Sequence, residues 1–193
     1  MKTLIIDSAT NILYTALLVD KDKKYESYVL GKNDHASAIL VEIEKACKTA
    51  ELELKNLDCV VVGYGPGSYT GVRMGVTIGK LLATLEKNIK LYTLSTLLFM
   101  ASGSKGQVLS TIDARRGNVF GCIYDMNTMN YVVQEALVEK SVIEHHPHTT
   151  SVDENHFVVD PFKVVTMASY VAEPRTLVPN YLRQTEAERN LNA

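Results

Sequence analysis

The 193-residue sequence lacks any strong excess of charge: 20 Lys and Arg stand against 22 Asp and Glu, for a net charge of −2. Global electrostatic steering toward nucleic acid is therefore excluded, and any such contact has to come from a local patch. Apolar runs are also short. All fall far below the about 18 residues that a membrane-spanning helix requires. No cationic leader with a hydrophobic core and cleavage site opens the chain, so a cytoplasmic location with no membrane contact is expected. Cysteine is scarce: Cys47, Cys59 and Cys122 all sit in apolar contexts. An odd count without close pairing points to buried thiols in a reducing compartment. What remains, 46% apolar and 22% charged residues, is the composition of a globular protein with one substantial or two small domains.

Motifs of common chemistry are missing too. Neither G-x-x-x-x-G-K-[ST] nor G-x-G-x-x-G occurs, and no G-x-S-x-G elbow supplies a nucleophile. The chain has instead the stretch Gly63-Tyr-Gly-Pro-Gly-Ser-Tyr-Thr-Gly-Val-Arg-Met-Gly75. It follows a β-branched apolar run (57–63) that reads as a buried strand, and it opens a helix over 70–86. So much glycine implies a tight turn that exposes backbone. Three readings stand open: an anion nest at a helix start, a surface that presents Arg73 and the tyrosines to a partner, or a demanding turn. Within the helix, Gly71, Gly75, Gly79 and Ala83 recur every four residues and share one face. A mid-helix glycine costs roughly 1 kcal/mol against alanine, so the smooth face implies close approach of another backbone. That backbone belongs either to this chain's own sheet or helix, or to another subunit. Met74, Ile78, Leu81, Leu82 and Leu85 supply apolar flanks.

The pattern along the chain gives strands at 3–7, 12–19 and 24–30, then a helix over 35–50 capped by Asn33 or Asp34. The apolar stripe of that helix is Ala36, Ile39, Leu40, Ile43, Cys47 and Ala50. The strand 57–63, the glycine turn and its helix follow, then a strand at 89–93 and a helix at 95–101. Ser102–Gly106 is a punctuated linker. Beyond it, strands at 107–113, 118–124 and 131–138 repeat the opening order of strand, Asp, turn, strand. Residues 141–155 read as polar loop, 156–160 as a strand, 161–172 as a helix, and 177–183 as an extended tail before a frayed 185–193. The expected fold is α/β, two mixed sheets with helices on their faces. It divides into an N-terminal domain (1–103) and a shortened second domain (104–193).

Asp7 and Asp113 each end a strand that opens a domain, where a phosphate-handling enzyme would place metal-binding carboxylates. Ser8-Ala9-Thr10 and Ala114-Arg115-Arg116 follow them, and neither turn supplies the glycine that phosphate requires. Arg115 and Arg116 are the densest positive pair and suit either a phosphate, a partner carboxylate or a solvated turn. His145, His146 and His148 resemble zinc ligands in type but not in spacing, and a surface loop explains them equally. Ser68 and Ser95 have no base partner in view. No catalytic residue and no metal ligand is assigned.

Ile6-Asp-Ser-Ala-Thr10, Gly65-Pro-Gly-Ser-Tyr-Thr-Gly-Val-Arg-Met-Gly75, Ile112-Asp-Ala-Arg-Arg-Gly117 and Pro179-Asn-Tyr-Leu-Arg183 stand in one order along the chain. That order resembles the TsaB (YeaZ) family of bacterial threonylcarbamoyladenosine tRNA modification. The resemblance implies an actin-like or sugar-kinase-like (ASKHA) two-domain fold, from which this chain departs by its abbreviated second domain. It implies a non-catalytic relative of TsaD, the enzyme that places threonylcarbamoyl on N6 of the adenosine beside the anticodon. It further implies pairing with TsaD through the N-terminal domain, an ATPase (TsaE) in the ternary complex, and a homodimer when alone. Contact with tRNA would be indirect. The isolated chain would hold no cofactor, with nucleotide at most at the interface of the assembled complex, so Asp7, Thr10 and Asp113 would be vestigial. The partner surface would fall on His35, Ile39, Ile43, Gly71, Arg73, Met74, Gly75, Ile78, Gly79 and Leu82. The competing class is a small ATP-binding enzyme of the same fold, an ATPase, kinase or glycoprotease-like protein.

Overall fold

A computed structural model of the chain describes residues 1–31, 35–86 and 88–182, with residues 35–37 described as backbone only. Strand β1 (Lys2–Asp7) runs antiparallel to β2 (Ile12–Val19), which runs antiparallel to β3 (Asp22–Leu30). Helix α1 (His35–Thr49) then leads through a short 3-10 turn (Leu54–Asn56) to β4 (Cys59–Gly63). Helix α2 (Tyr69–Leu85), β5 (Lys90–Leu94) and α3 (Thr96–Ala101) follow. β4 pairs parallel with both β1 and β5. The second half holds β6 (Gln107–Asp113), β7 (Asn118–Asp125), β8 (Asn130–Glu139), α4 (Lys140–Glu144), β9 (Thr150–Asp153), α5 (Pro161–Met167) and β10 (Ser169–Tyr170).

Two sheets result, ordered β10-β5-β4-β1-β2-β3 and β8-β7-β6-β9. In each, a three-strand meander is flanked at its first strand by a parallel strand: β4 beside β1, and β9 beside β6. This is the duplicated, mixed-sheet α/β architecture expected from the sequence, with four strands in the second sheet against six in the first. Alternation along β1 and β4 sorts the core. Leu4, Ile6, Val60 and Val62 face Ile39, Ile43 and Leu82 of α1 and α2. Ile5 and Val61 point the other way, toward α3 and the second sheet's Val108, Ile112 and Phe120. All six residues of α3 are buried, so that helix is the packing layer between the sheets.

Three details differ from the sequence reading. Residues 156–160 are not a strand: 157–160 join no sheet ladder, and are held by Val159 N–H donating to the Tyr28 hydroxyl and Asp160 N–H to Ser102 Oγ. The polar stretch 141–155 instead contains most of α4 and all of β9. The helix expected over 161–172 stops at Met167, because the next residues leave to pair as β10 with Tyr92 and Thr93 of the first sheet. The chain therefore does not part cleanly after residue 103. The segment after α5 returns to the first sheet, where Val171 N–H donates to Leu91 O. The expected cap at Asn33 or Asp34, the side chain of His35, Arg183 and the tail 185–193 lie outside the described residues.

Candidate functional site: the glycine turn and the helix it opens

β4 delivers the chain to the turn at Gly63, which packs so closely on the Asp7 carboxylate that no side chain fits there. Gly65 takes φ +100°, a conformation that L side chains rarely adopt. A Cβ on it would also stand 2.5 Å from the Asn180 carbonyl oxygen. Several of the turn's backbone groups are spent internally. Ser68 N–H donates to Ala9 O at 2.7 Å, Thr96 N–H donates to Gly65 O at 2.9 Å, and Ser68 Oγ accepts from Gly71 N–H to cap α2. These bonds, with the close walls at Gly63, Gly65 and Gly67, bear out the reading of a demanding turn.

The tail is the second wall of the turn. Asn180 N–H donates to Tyr64 O at 2.7 Å, and Lys80 Nζ donates to Leu177 O at 3.1 Å. Leu177 packs with Ala9, Val72 and Val76. Tyr181 stacks on Tyr69 with ring centres 5.2 Å apart, and Arg73 donates to the Tyr69 hydroxyl at 2.7 Å. The Pro-Asn-Tyr-Leu segment and the glycine segment, over a hundred residues apart in sequence, thus form one unit. Sequence reasoning saw both segments and gave no sign that they touch.

The glycine face of α2 is turned inward, which corrects the expected partner surface. A Cβ on Gly71 would fall inside the Ser8 carbonyl oxygen, while Ser8 Oγ donates to Gly71 O at 2.8 Å. A Cβ on Gly79 would meet Val62 Cγ1 at 2.7 Å and Leu91 Cδ1 at 3.0 Å, and one on Gly75 would meet Ser8 Oγ at 2.9 Å. The close backbone is this chain's own first sheet and the turn after β1. Ile39, Ile43 and Leu82 are likewise in the core. Of the expected surface residues, Arg73 is exposed, and Met74 and Ile78 are half-buried. A four-residue repeat identifies a face; it cannot identify what covers that face.

A second stripe runs from the half-buried flank of α2 to its surface. Met74, Ile78, Leu81 and Leu85 follow one another at spacings of four, three and four, the spacing of a helix-packing seam. Leu81 and Leu85 are 51% and 69% exposed. On α1, which packs beside α2 over the same sheet, Leu40 and Val41 are 61% and 47% exposed. α2 carries Arg73 and Lys80 and no acidic residue. Behind this layer, Glu42 of α1 accepts hydrogen bonds from Tyr25 Oη, Ser27 Oγ and Lys45 Nζ at 2.5, 2.5 and 2.7 Å. Burial would raise its carboxyl, but these donors outweigh burial and hold it below the usual range.

The strand-end aspartates stand in different settings. Asp7 is buried, accepts from Ala9 N–H and from Thr96 Oγ1 at 2.8 Å each, and is pushed up to about 6, chiefly by burial. Thr10 is buried and closes its own turn, its hydroxyl bridging Ile12 N–H and Ile12 O. Asp113 is exposed and accepts from Arg115 N–H at 2.9 Å, while its own N–H donates to Glu154. Asp160 caps α5. Arg115 and Arg116 occupy the β6–β7 turn at φ +67° and +56°. His145 bonds Ser141 O, and His148 bonds His146 O and Ser151 Oγ. Among the described residues no three His, Cys, Asp or Glu gather as metal ligands, and no helix is long and apolar enough to cross a membrane.

Comparison with known proteins places these features. The family model described as TsaD, tRNA N6-adenosine threonylcarbamoyltransferase, matches residues 30–156, about two thirds of the chain. The tRNA threonylcarbamoyladenosine biosynthesis protein TsaB of Escherichia coli K12 is 34% identical over 129 residues, 64% of this chain and 55% of that one. The TsaB of Bacillus subtilis 168 is 30% identical over 146 residues, 74% of this chain and 62% of that protein. That of Buchnera aphidicola subsp. Schizaphis graminum is 30% identical over 155 residues, 75% of this chain and 72% of its own length. The first two relatives are thus matched over less than two thirds of their length. In fold, YeaZ from Pseudomonas aeruginosa agrees with a TM-score of 0.78 at 19% identity, covering 94% of this chain and 99% of that one. The chain belongs to the TsaB (YeaZ) family and carries the domain that the TsaD family model describes.

Proposed function

We propose that this chain is a non-catalytic subunit of tRNA threonylcarbamoyladenosine biosynthesis that binds a TsaD-like threonylcarbamoyltransferase through the outer faces of α1 and α2. The observation that carries the reading is the apolar row of α2, with Leu81 and Leu85 exposed and Met74 and Ile78 half-buried, together with the exposed Leu40 and Val41 on the neighbouring helix α1. Large exposed apolar side chains gathered on neighbouring helices mark an interaction site in a globular protein. Arg73 and Lys80 at its margin suit a partner helix whose rim is acidic. The same face would serve a homodimer when the catalytic subunit is absent, so the two assemblies compete.

The closed setting of Asp7 supports a role by binding rather than by chemistry. Its carboxylate is committed to Ala9 and Thr96 and walled by Gly63, which leaves no opening for a metal-bound phosphate. A TsaE-like ATPase would join the assembled pair, with nucleotide held at that assembly and tRNA contacted by the catalytic subunit. The test is co-purification with a TsaD-like subunit. Leu81→Glu with Leu85→Glu, both exposed, should abolish association while leaving the unfolding transition in place. Undiminished association would overturn the assignment of this face.

A further inference from the structure

A cleft of about 440 Å³ opens between the edge of the first sheet and the β7–β8 hairpin of the second. Tyr64, Ser95 and Ser169 line it from one side, and Tyr124, Tyr131 and Gln134 from the other. Its lining includes Leu94, Leu98 and Tyr124 of the cluster between the sheets, and none of the residues on the outer faces of α1 and α2. It is therefore independent of the partner surface. Its volume lies in the range of small-molecule sites.

The composition of the cleft defines what suits it. Among the described residues no Lys, Arg, Asp or Glu lines it, so these walls offer no counter-charge to a phosphate or a cation. Tyrosine rings and the thioethers of Met129 and Met167 offer flat, polarizable walls, and amide and hydroxyl groups stand among them. Tyr124 and Tyr131 meet edge to face at 5.0 Å, and Tyr131 Oη donates to Glu135 at 2.6 Å, which fixes the ring. Glu135 in turn accepts from Asn180 of the tail at 3.3 Å.

The backbone of β8 is built for this arrangement. Residues three apart on a regular strand point to opposite faces. Yet Tyr131 and Gln134 both line the cleft, because the register of β8 against β7 shifts twice. Tyr131 sits opposite Tyr124, Val133 opposite Ile123, and Ala136 opposite Gly121. The shifts turn Tyr131 toward the inter-sheet cluster and Val133 toward the cluster beneath α4. Bulges of this kind re-aim side chains and are concentrated next to functional sites. Met129, also in the cleft wall, holds φ +56°, a backbone conformation uncommon outside glycine.

We propose that this cleft binds an uncharged planar heterocycle of the nucleoside class, packed against its tyrosine side chains and hydrogen-bonded at the rim by Gln134 and Ser169. The test is calorimetric titration of the full chain with adenosine, guanosine, cytidine and uridine, and with AMP as the charged comparator. At least one nucleoside should saturate, with AMP binding no tighter than adenosine. Gln134→Ala should weaken binding about fivefold, the loss of one hydrogen bond. Ser169→Phe, which fills the cleft from an exposed rim position, should abolish it. Both variants should unfold as the parent chain does, since neither side chain is buried. Absence of saturation by all four nucleosides up to about 10 mM would overturn the proposal, because that is weaker than a formed site of this size allows. Parent-like binding by both variants would overturn it as well. So would AMP binding at least about tenfold tighter than adenosine, since a charged site would then be the receptor.

Discussion

Alanine substitutions along the glycine stripe of α2 separate a face packed on its own sheet from a face left open for a partner. In an open helix interior, Gly→Ala stabilises by about 1 kcal/mol through propensity alone, and by less in the first turn. Were the stripe open, Gly71→Ala, Gly75→Ala and Gly79→Ala would each stabilise the free chain. The structure predicts a graded opposite. At Gly71 the new methyl falls inside the Ser8 carbonyl oxygen, a backbone atom that cannot rotate aside, and it also threatens the Ser8 Oγ bond to Gly71 O. Overpacking of about 1–3 kcal/mol plus a hydrogen bond of about 1 kcal/mol gives a net loss of roughly 2–3 kcal/mol. At Gly79 the obstacles are the side chains Val62 and Leu91 at 2.7 and 3.0 Å. The branched valine yields little, and propensity leaves a net loss of about 1 kcal/mol. At Gly75 only the Ser8 hydroxyl, at 2.9 Å, is in the way. It can turn, so the two terms nearly cancel. Urea denaturation followed by far-ultraviolet circular dichroism reads these differences directly, and each kcal/mol corresponds to roughly 2–4 °C in a thermal melt. A Gly71→Ala chain more stable than its parent would refute the inward-facing stripe.

Three further outcomes follow from the same contacts. Asp7 carries a carboxyl pushed up to about 6 from an unfolded value of 3.8. The folded state therefore holds the proton more tightly. Its contribution is fully present below pH 3.8 and is lost as pH rises through 6, roughly 3 kcal/mol in all. Asp7→Asn should be more stable than the parent at pH 7 and should flatten the melting profile between pH 4 and 7; an unchanged profile would contradict the burial of this acid. Glu42→Ala leaves Tyr25, Ser27 and Lys45 without their shared acceptor, so chemical denaturation should show a loss of roughly 2–3 kcal/mol. Gly65→Ala combines a φ of +100° with a Cβ 2.5 Å from Asn180 O. It should cost about 2 kcal/mol or more and detach the tail first, seen as faster amide exchange at Asn180.

Much of the fold was legible because both faces of its central strands are buried. Thr3–Asp7 and Cys59–Gly63 read as apolar runs because α1 and α2 cover one side and α3 covers the other. The start of α2 was legible from the glycine-rich turn before it. What escaped were elements whose partners lie far off in sequence. Thr150–Asp153 is polar and is a strand only because β6 offers a parallel edge. His156-Phe-Val-Val-Asp160 has the composition of a strand, but Tyr28, Ser102 and Gly103 take its backbone bonds instead. β10 is two residues long, too short for any periodicity. The site divided in the same way. The helix that bears the seam was identified, and Arg73, Met74 and Ile78 lie where a partner can reach them. The glycines, Ile39, Ile43 and Leu82 do not, because a small-residue repeat and a core stripe look alike until the sheet beneath them is known. The outward stripe was present in the sequence at Met74, Ile78, Leu81 and Leu85. Its four-three-four spacing is the signal that would have separated it from the inward one.

The central claim is that the chain acts by docking on a catalytic subunit through this outward seam. Reconstituted threonylcarbamoylation of tRNA by a TsaD-like subunit and its ATPase partner measures that most directly, with this chain present, omitted, or carrying Leu81→Glu and Leu85→Glu. The account predicts modification only with the parent chain, and background levels both without it and with the doubly substituted one. Full modification by the substituted chain would contradict it.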